Sequence, residues 1–306
     1  MRSAARSIHS SEEAAGQRAH GTLAASVDPS VVPAIWGVLN VTPDSFSDGG
    51  THLALDAAVS RAFEMVAAGA TVVDVGGESS RPPGLTYGEG ASQVSQQEEL
   101  ARVLPVVEAL VARGLRVSVD TVKPEVARRA LQAGAAIIND IRGGRERALL
   151  DAVAAAGAEV VLMHNRGRGE VCAPNTDYAD VVAEVTDELG EAIERAVAAG
   201  VARDAIWVDP GIGFAKTAVQ SARMLRATAS LRALGCRVLV GASRKSFIAA
   251  LAPDADGAAP GPTDRLAGSL VAVLEAARGG ADAVRVHDVR ATHQALSFAQ
   301  ALAGVA

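Results

Sequence analysis

Eight short apolar runs along the chain each end in polar residues, and between them apolar positions recur at helical spacing. Ile35 to Leu39 ends in Asn40, Val72 to Val75 in Gly76-Gly77-Glu78-Ser79-Ser80-Arg81, Val117 to Val119 in Asp120, and Ile137-Ile138 in Asn139-Asp140. Val160 to Met163 then leads to His164, Ile206 to Val208 to Asp209, Val238 to Gly241 to Ser243-Arg244-Lys245, and Val284 to Val286 to His287-Asp288. Near-continuous apolar runs of this kind predict strands buried on both faces, as in a parallel sheet. Helical spacing predicts helices over 54–68, 98–112, 124–133, 178–199, 221–234 and 264–278, several closing on a glycine such as Gly69, Gly134 or Gly200. Eight strand–helix alternations predict a single (β/α)8 TIM barrel, an α/β fold in which the polar strand ends converge on one mouth. A doubly wound open sheet is the alternative. It usually has fewer strands and concentrates its chemistry in one glycine-rich first turn, which this chain lacks.

At 306 residues the chain could hold one barrel or two ordinary domains, and the unbroken rhythm favours one. Residues 1–30, rich in Ser, Ala, Glu, Gln and His, lack the apolar core of a signal peptide, so they read as a disordered extension preceding a barrel over 31–306. A cytoplasmic location follows by default, and no run approaches the length of a membrane span. A net charge of −6 and 3% aromatics argue against a nucleic-acid surface, which needs a basic stripe and often stacking rings. Cys172 and Cys236 have no motif spacing, so neither a disulfide framework nor a thiolate zinc site is expected.

The strand ends sort into two chemistries. Asp120, Asn139 and Asp209 offer two carboxylates and an amide, which suit a flat heterocycle carrying an amino group and ring N–H donors. Each alone could instead cap the following helix, Asp120 above all, because Thr121 and Pro124 follow it. Arg81, Lys245, Arg285 and His287, with Asn40 from the neighbouring first strand, form a cationic set suited to phosphoryl oxygens. Surface ion pairs are the alternative for any one arginine. Arg285, however, lies between Val284 and Val286 in a strand, and the barrel mouth is the inexpensive place for its charge. After Asn40, residues 41–50 are too polar and turn-rich for a strand or helix and read as a loop over the mouth.

Five ordered motifs carry a resemblance. Asn-Val-Thr-Pro-Asp-Ser-Phe-Ser-Asp-Gly-Gly at 40–50, Gly-Gly-Glu-Ser-Ser-Arg-Pro at 76–82, Asp-Pro-Gly-Ile-Gly-Phe-Ala-Lys at 209–216, Ser-Arg-Lys at 243–245 and Arg-Val-His-Asp-Val at 285–289 make the chain resemble the bacterial dihydropteroate synthases from about Ile35 onward. The resemblance implies condensation of 6-hydroxymethyl-7,8-dihydropterin diphosphate with 4-aminobenzoate, giving 7,8-dihydropteroate and diphosphate. It implies that Asp120, Asn139, Asp209 and Lys245 hold the pterin, with Met163 and Phe214 against its ring faces. Asn40, Arg81, Arg285 and His287 would take the diphosphate, with Mg²⁺ at Asn40, and Phe46, Ser80, Pro82 and Ser243 would line the aminobenzoate pocket. Asp48, Lys245 and Arg285 are the implied catalytic groups, Asp48 as a loop carboxylate that could equally be a turn-former before Gly49-Gly50. A homodimer through outer helices is implied as well.

Several residues take other readings. Lys216 could form a Schiff base in a barrel, but its neighbours favour a structural role near the site rim. His164 reads as a satisfied histidine of the barrel mouth. The chain departs from the family pattern at Pro83, at the longer stretch Gly84 to Gln93, at Ser80 for threonine, at Asn165 for methionine and at Ala215 for glycine. Two other functions share part of the pattern: a pterin-binding barrel passing a methyl group to a corrinoid, and a non-catalytic paralogue that binds pterin. The first would not need Arg81, Arg285 and His287, and the second should have lost Phe46, Ser80 or Arg81. Arg285→Ala is expected to lose diphosphate-dependent pterin binding with the fold intact.

Overall fold

The structure, a computed structural model, describes residues 32–41, 50–78, 94–167 and 171–305. Eight parallel strands close into one barrel in sequence order: β1 (Ala34–Asn40), β2 (Val72–Gly76), β3 (Val117–Asp120), β4 (Ile137–Asp140), β5 (Glu159–Met163), β6 (Ile206–Asp209), β7 (Arg237–Val240) and β8 (Ala283–Val286). Closure is made by β8 beside β1, with Ile35 opposite Val284 and Trp36 opposite Arg285. The predicted TIM barrel is therefore the fold, and every predicted run is one of its strands.

Successive strand residues point to opposite faces, and the buried apolar side chains divide accordingly. Trp36, Val72, Ile137, Val161, Trp207, Leu239 and Ala283 pack together inside the barrel. Their neighbours Ile35, Val73, Ile138, Val160, Val208, Val238 and Val284 pack outward against the helices. Inside, Trp36 and Trp207 meet edge to face at 5.0 Å, and the Trp207 indole donates to Glu159 at 2.8 Å. The interior is thus a solid plug below the mouth. Anything a ligand touches must stand above it.

The helical layer comprises α1 (Gly50–Ala67), α2 (Gln96–Val111), α3 (Pro124–Gln132), α4 (Arg147–Ala156), α5 (Val181–Ala198), α6 (Ala218–Arg226), α7 (Thr228–Leu231), α8 (Ser246–Leu251), α9 (Leu266–Arg278) and α10 (Val289–Ala303). The helices α4, α8 and α10 lie outside the segments that periodicity picked out. The single helix predicted over 221–234 begins earlier and breaks. Thr217 and Gln220 form a reciprocal capping box that starts α6 at Ala218. The break comes after Ala227, where the buried Thr228 hydroxyl donates back to the Leu225 carbonyl at 2.6 Å. No helix among the described residues is long and apolar enough to cross a membrane.

Candidate active site

The period of two lifts a polar layer directly above the plug. Asp74 stands two residues beyond Val72, Asn139 beyond Ile137, Met163 beyond Val161, Asp209 beyond Trp207 and Arg285 beyond Ala283. Asp120 joins them, opposite Gly76 on one side and Asn139 on the other in the sheet register.

Arg285 is the centre of this layer. Its Nε donates to Asp74 Oδ2 at 2.5 Å and its Nη2 to Asp120 Oδ2 at 2.9 Å. Asn139 Nδ2 donates to the same Asp74 oxygen at 3.3 Å. Burial works against the charge of Arg285, but Asp74 and Asp120 outweigh it and hold the guanidinium above its ordinary range. Asp120 shares that single cation with the fully buried Asp74. Burial pushes its carboxyl up to about 7, against the pull of Arg285. One member of the expected anion set, Arg285, is therefore bonded to Asp120 of the heterocycle set, although the two looked separate along the chain. Two buried acids depend on that guanidinium, so Arg285→Ala is expected to cost stability as well as pterin binding.

The second part of the site is the turn after β6. Gly211 takes φ +66°, and a side chain there would run into the His164 carbonyl. Its N–H instead donates to Asp209 Oδ1 at 2.7 Å. Burial raises the Asp209 carboxyl, with that N–H and Lys245 pulling the other way. Phe214 is buried, and Lys245 Nζ sits 3.9 Å from its ring centroid, a cation–π contact. Burial brings the Lys245 ammonium down to about 8.

On the β7 and β8 side, the Ser243 hydroxyl meets His287 Nδ1 at 3.1 Å and accepts from the His287 backbone N–H at 3.3 Å. Burial and the neighbouring Arg285 push the His287 imidazole down to about 3, so it is neutral at ordinary pH. Arg244, at φ +59°, turns away from the mouth and forks onto Asp288 at 2.9 and 2.5 Å. This brace lets Ser243 and Lys245, on either side of it, face the site. Asn40 is exposed at the end of β1, its Oδ1 3.6 Å from where a Gly76 side chain would begin.

Asn40, Asp120, Asn139, Met163, Asp209 and Arg285 lie in the last two positions of barrel strands, and Phe214, Ser243, Lys245 and His287 lie in the turns that follow. Phe46, Asp48, Ser80, Arg81 and Pro82 lie outside the described residues, as does the stretch Gly84 to Gln93. Two positions correct the sequence reading. Lys216 is not at a rim: it is 1% exposed, its Nζ within 2.8 Å of His164 Nδ1, and burial lowers its ammonium to about 7. Asp74, absent from the expected site, is bonded to Arg285 inside the barrel. Its signal was available in Val-Val-Asp-Val, a charge within an apolar strand, the same argument that singled out Arg285.

The chain matches the family of pterin binding enzymes over residues 36–287 and belongs to that family. It is 48% identical over 264 residues to the dihydropteroate synthase of Mycobacterium leprae, covering 85% of this chain and 90% of that protein. The Xanthomonas albilineans dihydropteroate synthase with 4-aminobenzoic acid superposes with a TM-score of 0.81 at 45% identity, over 90% of this chain and 95% of that one. The same enzyme in complex with 7,8-dihydropteroate gives 0.78 at 42%, over 90% and 96%. Within the pterin binding enzymes the activity of the chain is that of a dihydropteroate synthase, a transferase.

Proposed function

We propose that the chain's own residues divide the dihydropteroate synthase reaction, condensation of 6-hydroxymethyl-7,8-dihydropterin diphosphate with 4-aminobenzoate, between a buried pterin floor and an anion-facing rim. The single observation that carries this division is the layer Asp74–Arg285–Asp120 with Asn139, a ring of acceptors and donors held rigid above an apolar plug. Asp120, Asn139 and Asp209 receive the amino and N–H groups of the pterin. Phe214 and Met163 offer soft faces for its ring, and Lys245, over Phe214, reaches the same face.

The bond that breaks joins the methylene carbon to the diphosphate oxygen, and the electron pair leaves with diphosphate. The bond that forms joins that carbon to the aniline nitrogen, which then loses a proton. Cation character on the pterin as the leaving group departs is stabilised by the fixed carboxylates of Asp120 and Asp209. Departing anionic charge falls to Arg285 and to a neutral His287, which offers a hydrogen bond rather than a charge. Ser243, fixed by His287, lies where it can meet the aminobenzoate. An aniline nitrogen is nucleophilic without a dedicated base.

Mg²⁺ fits as a companion of the substrate rather than a resident of the protein. Asn40 contributes one hard oxygen at an exposed strand end, and no group of three His, Cys, Asp or Glu among the described residues is arranged to hold a metal. Mg²⁺ commonly takes one or two protein oxygens and completes its shell with phosphate and water. When bound, it neutralises charge developing on the leaving diphosphate. A cytoplasmic homodimer completes the reading. Its outer-helix interface is supported by Val271 on α9 and by Phe298 and Leu302 on α10, all more than half exposed.

The test is release of diphosphate by the purified protein given the pterin diphosphate and Mg²⁺, with and without 4-aminobenzoate. Release that depends on 4-aminobenzoate, with dihydropteroate formed, is expected. Tight pterin binding without turnover would overturn the reading in favour of a non-catalytic pterin-binding protein.

A further inference from the structure

Lys216 is the largest buried cation whose job the reaction leaves unstated. Its ammonium has three N–H groups and three acceptors around it: His164 Nδ1 at 2.8 Å, the Phe214 carbonyl at 3.2 Å and the Gly211 carbonyl at 3.3 Å. The histidine is itself held, because its Nε2 lies 3.0 Å from Glu188 Oε2 on α5, and Arg166 fixes Glu188 from its other oxygen at 2.9 Å. With Nε2–H donating to Glu188, the Nδ1 lone pair is left for Lys216. Every member of this chain therefore has a defined donor or acceptor role.

The two carbonyls belong to the residues that shape the pterin floor. Gly211 carries the N–H that donates to Asp209 Oδ1 at 2.7 Å, and Phe214 carries the ring beneath Lys245. The His164 N–H also closes on the Asp209 carbonyl at 2.8 Å, stitching β5 to the same turn. The turn passes through positive φ at Gly211, Gly213 and Ala215, so its backbone has few local preferences to hold it. A cation that gathers carbonyls from two points of the turn supplies that constraint. Lys216 Nζ is buried beneath the turn, so the amine is not presented to a substrate carbonyl as a Schiff base would require.

We propose that Lys216, oriented by the His164–Glu188 pair, is a positioning residue of the pterin site: it sets the pose of Asp209 through Gly211 and of the Phe214 ring, and so governs affinity for the pterin half of the reaction. This rests on the dihydropteroate synthase reading, and the test separates the two. The variants are Lys216→Met, which keeps the length and loses all three donors, and His164→Gln, which leaves Lys216 its two carbonyls. KM is measured for each substrate at saturation of the other, with kcat, the urea midpoint and calorimetric binding of 6-hydroxymethylpterin alone.

Lys216→Met is expected to raise KM for the pterin diphosphate about tenfold or more and to weaken the pterin ligand in parallel, while KM for 4-aminobenzoate moves less than about twofold. His164→Gln is expected to move the same quantities in the same direction by about threefold. Equal losses for both substrates that follow the urea midpoint would overturn the proposal and leave a merely structural lysine. Unchanged pterin binding in folded Lys216→Met would overturn it too. Should Lys216→Met fail to fold, His164→Gln decides by the same criteria. Wild-type protein without turnover would sink the functional reading, and the pterin-binding measurements would still decide the role of Lys216.

Discussion

Replacing Arg285 with methionine removes the guanidinium that pairs with both Asp74 and Asp120, and its cost follows from what remains. Asp74 is fully buried inside the closed barrel and cannot turn to water, while Asp120 keeps only 9% exposure at the mouth. Each pair separates its charge centres by about 4 Å, worth about 4 kcal/mol at an effective dielectric constant of about 20. Desolvation of the arginine is recovered when it is removed, so the two pairs do not simply add. Breaking a buried pair while stranding its partner costs about 3–5 kcal/mol, and that is the expected loss. With a urea m-value of about 3 kcal/mol/M, the midpoint should fall by about 1–2 M. Asp120, whose carboxyl burial already pushes up to about 7, can escape part of this by taking up a proton, so the loss should be larger at alkaline than at mildly acidic pH, by up to about 1.4 kcal/mol per pH unit. Adding Asp74→Asn to the variant removes one stranded charge and should restore about 2 kcal/mol, a coupling that a double-mutant cycle reads directly. A midpoint for Arg285→Met within about 0.3 M of wild type would refute the reasoning, since it would mean that the paired acids do not need the cation.

Ala215 stands at φ +47°, and an alanine in that region costs about 1–2 kcal/mol. Ala215→Gly gives back about 0.4–1 kcal/mol through the greater freedom of the unfolded chain, so a net gain of about 0.5–1 kcal/mol is expected in urea unfolding. A loss of stability would mean that the turn is unstrained. The buried His164 is held near 4, below its ordinary 6.5, chiefly by burial. Between those values the unfolded chain binds the proton and the folded one does not, so the contribution of His164 is present above 6.5 and is lost as pH falls toward 4. The stability difference between wild type and His164→Gln should therefore shift against wild type over that window, by up to about 1.4 kcal/mol per pH unit. A difference independent of pH would show that the imidazole is not kept neutral.

Much of the site was legible because a strand has a period of two and a parallel barrel puts all its strand ends at one mouth. Asp120, Asn139, Asp209 and Arg285 could be assigned to that mouth from position alone. Asp74 lies within its apolar run rather than after it, so only the charge inside Val-Val-Asp-Val marks its place. The buried position of Lys216 has no such mark. Its acceptors are a histidine just after β5 and two carbonyls of a turn, none of which has a signature in sequence spacing. The helix over 221–234 broke because a buried threonine preferred the Leu225 carbonyl, a choice its apolar periodicity does not record.

By itself the sequence determined the barrel, its strands and the family chemistry, since alternation and motif order are local patterns that survive unfolding of everything around them. Only the tertiary structure decided that Arg285 is bonded to Asp74 and Asp120, and that Lys216 lies buried beneath the turn. Those outcomes depend on which charges from distant strands are brought within hydrogen-bond distance and stripped of water together. Burial and proximity of that kind are properties of the closed barrel, absent from any one segment of the chain.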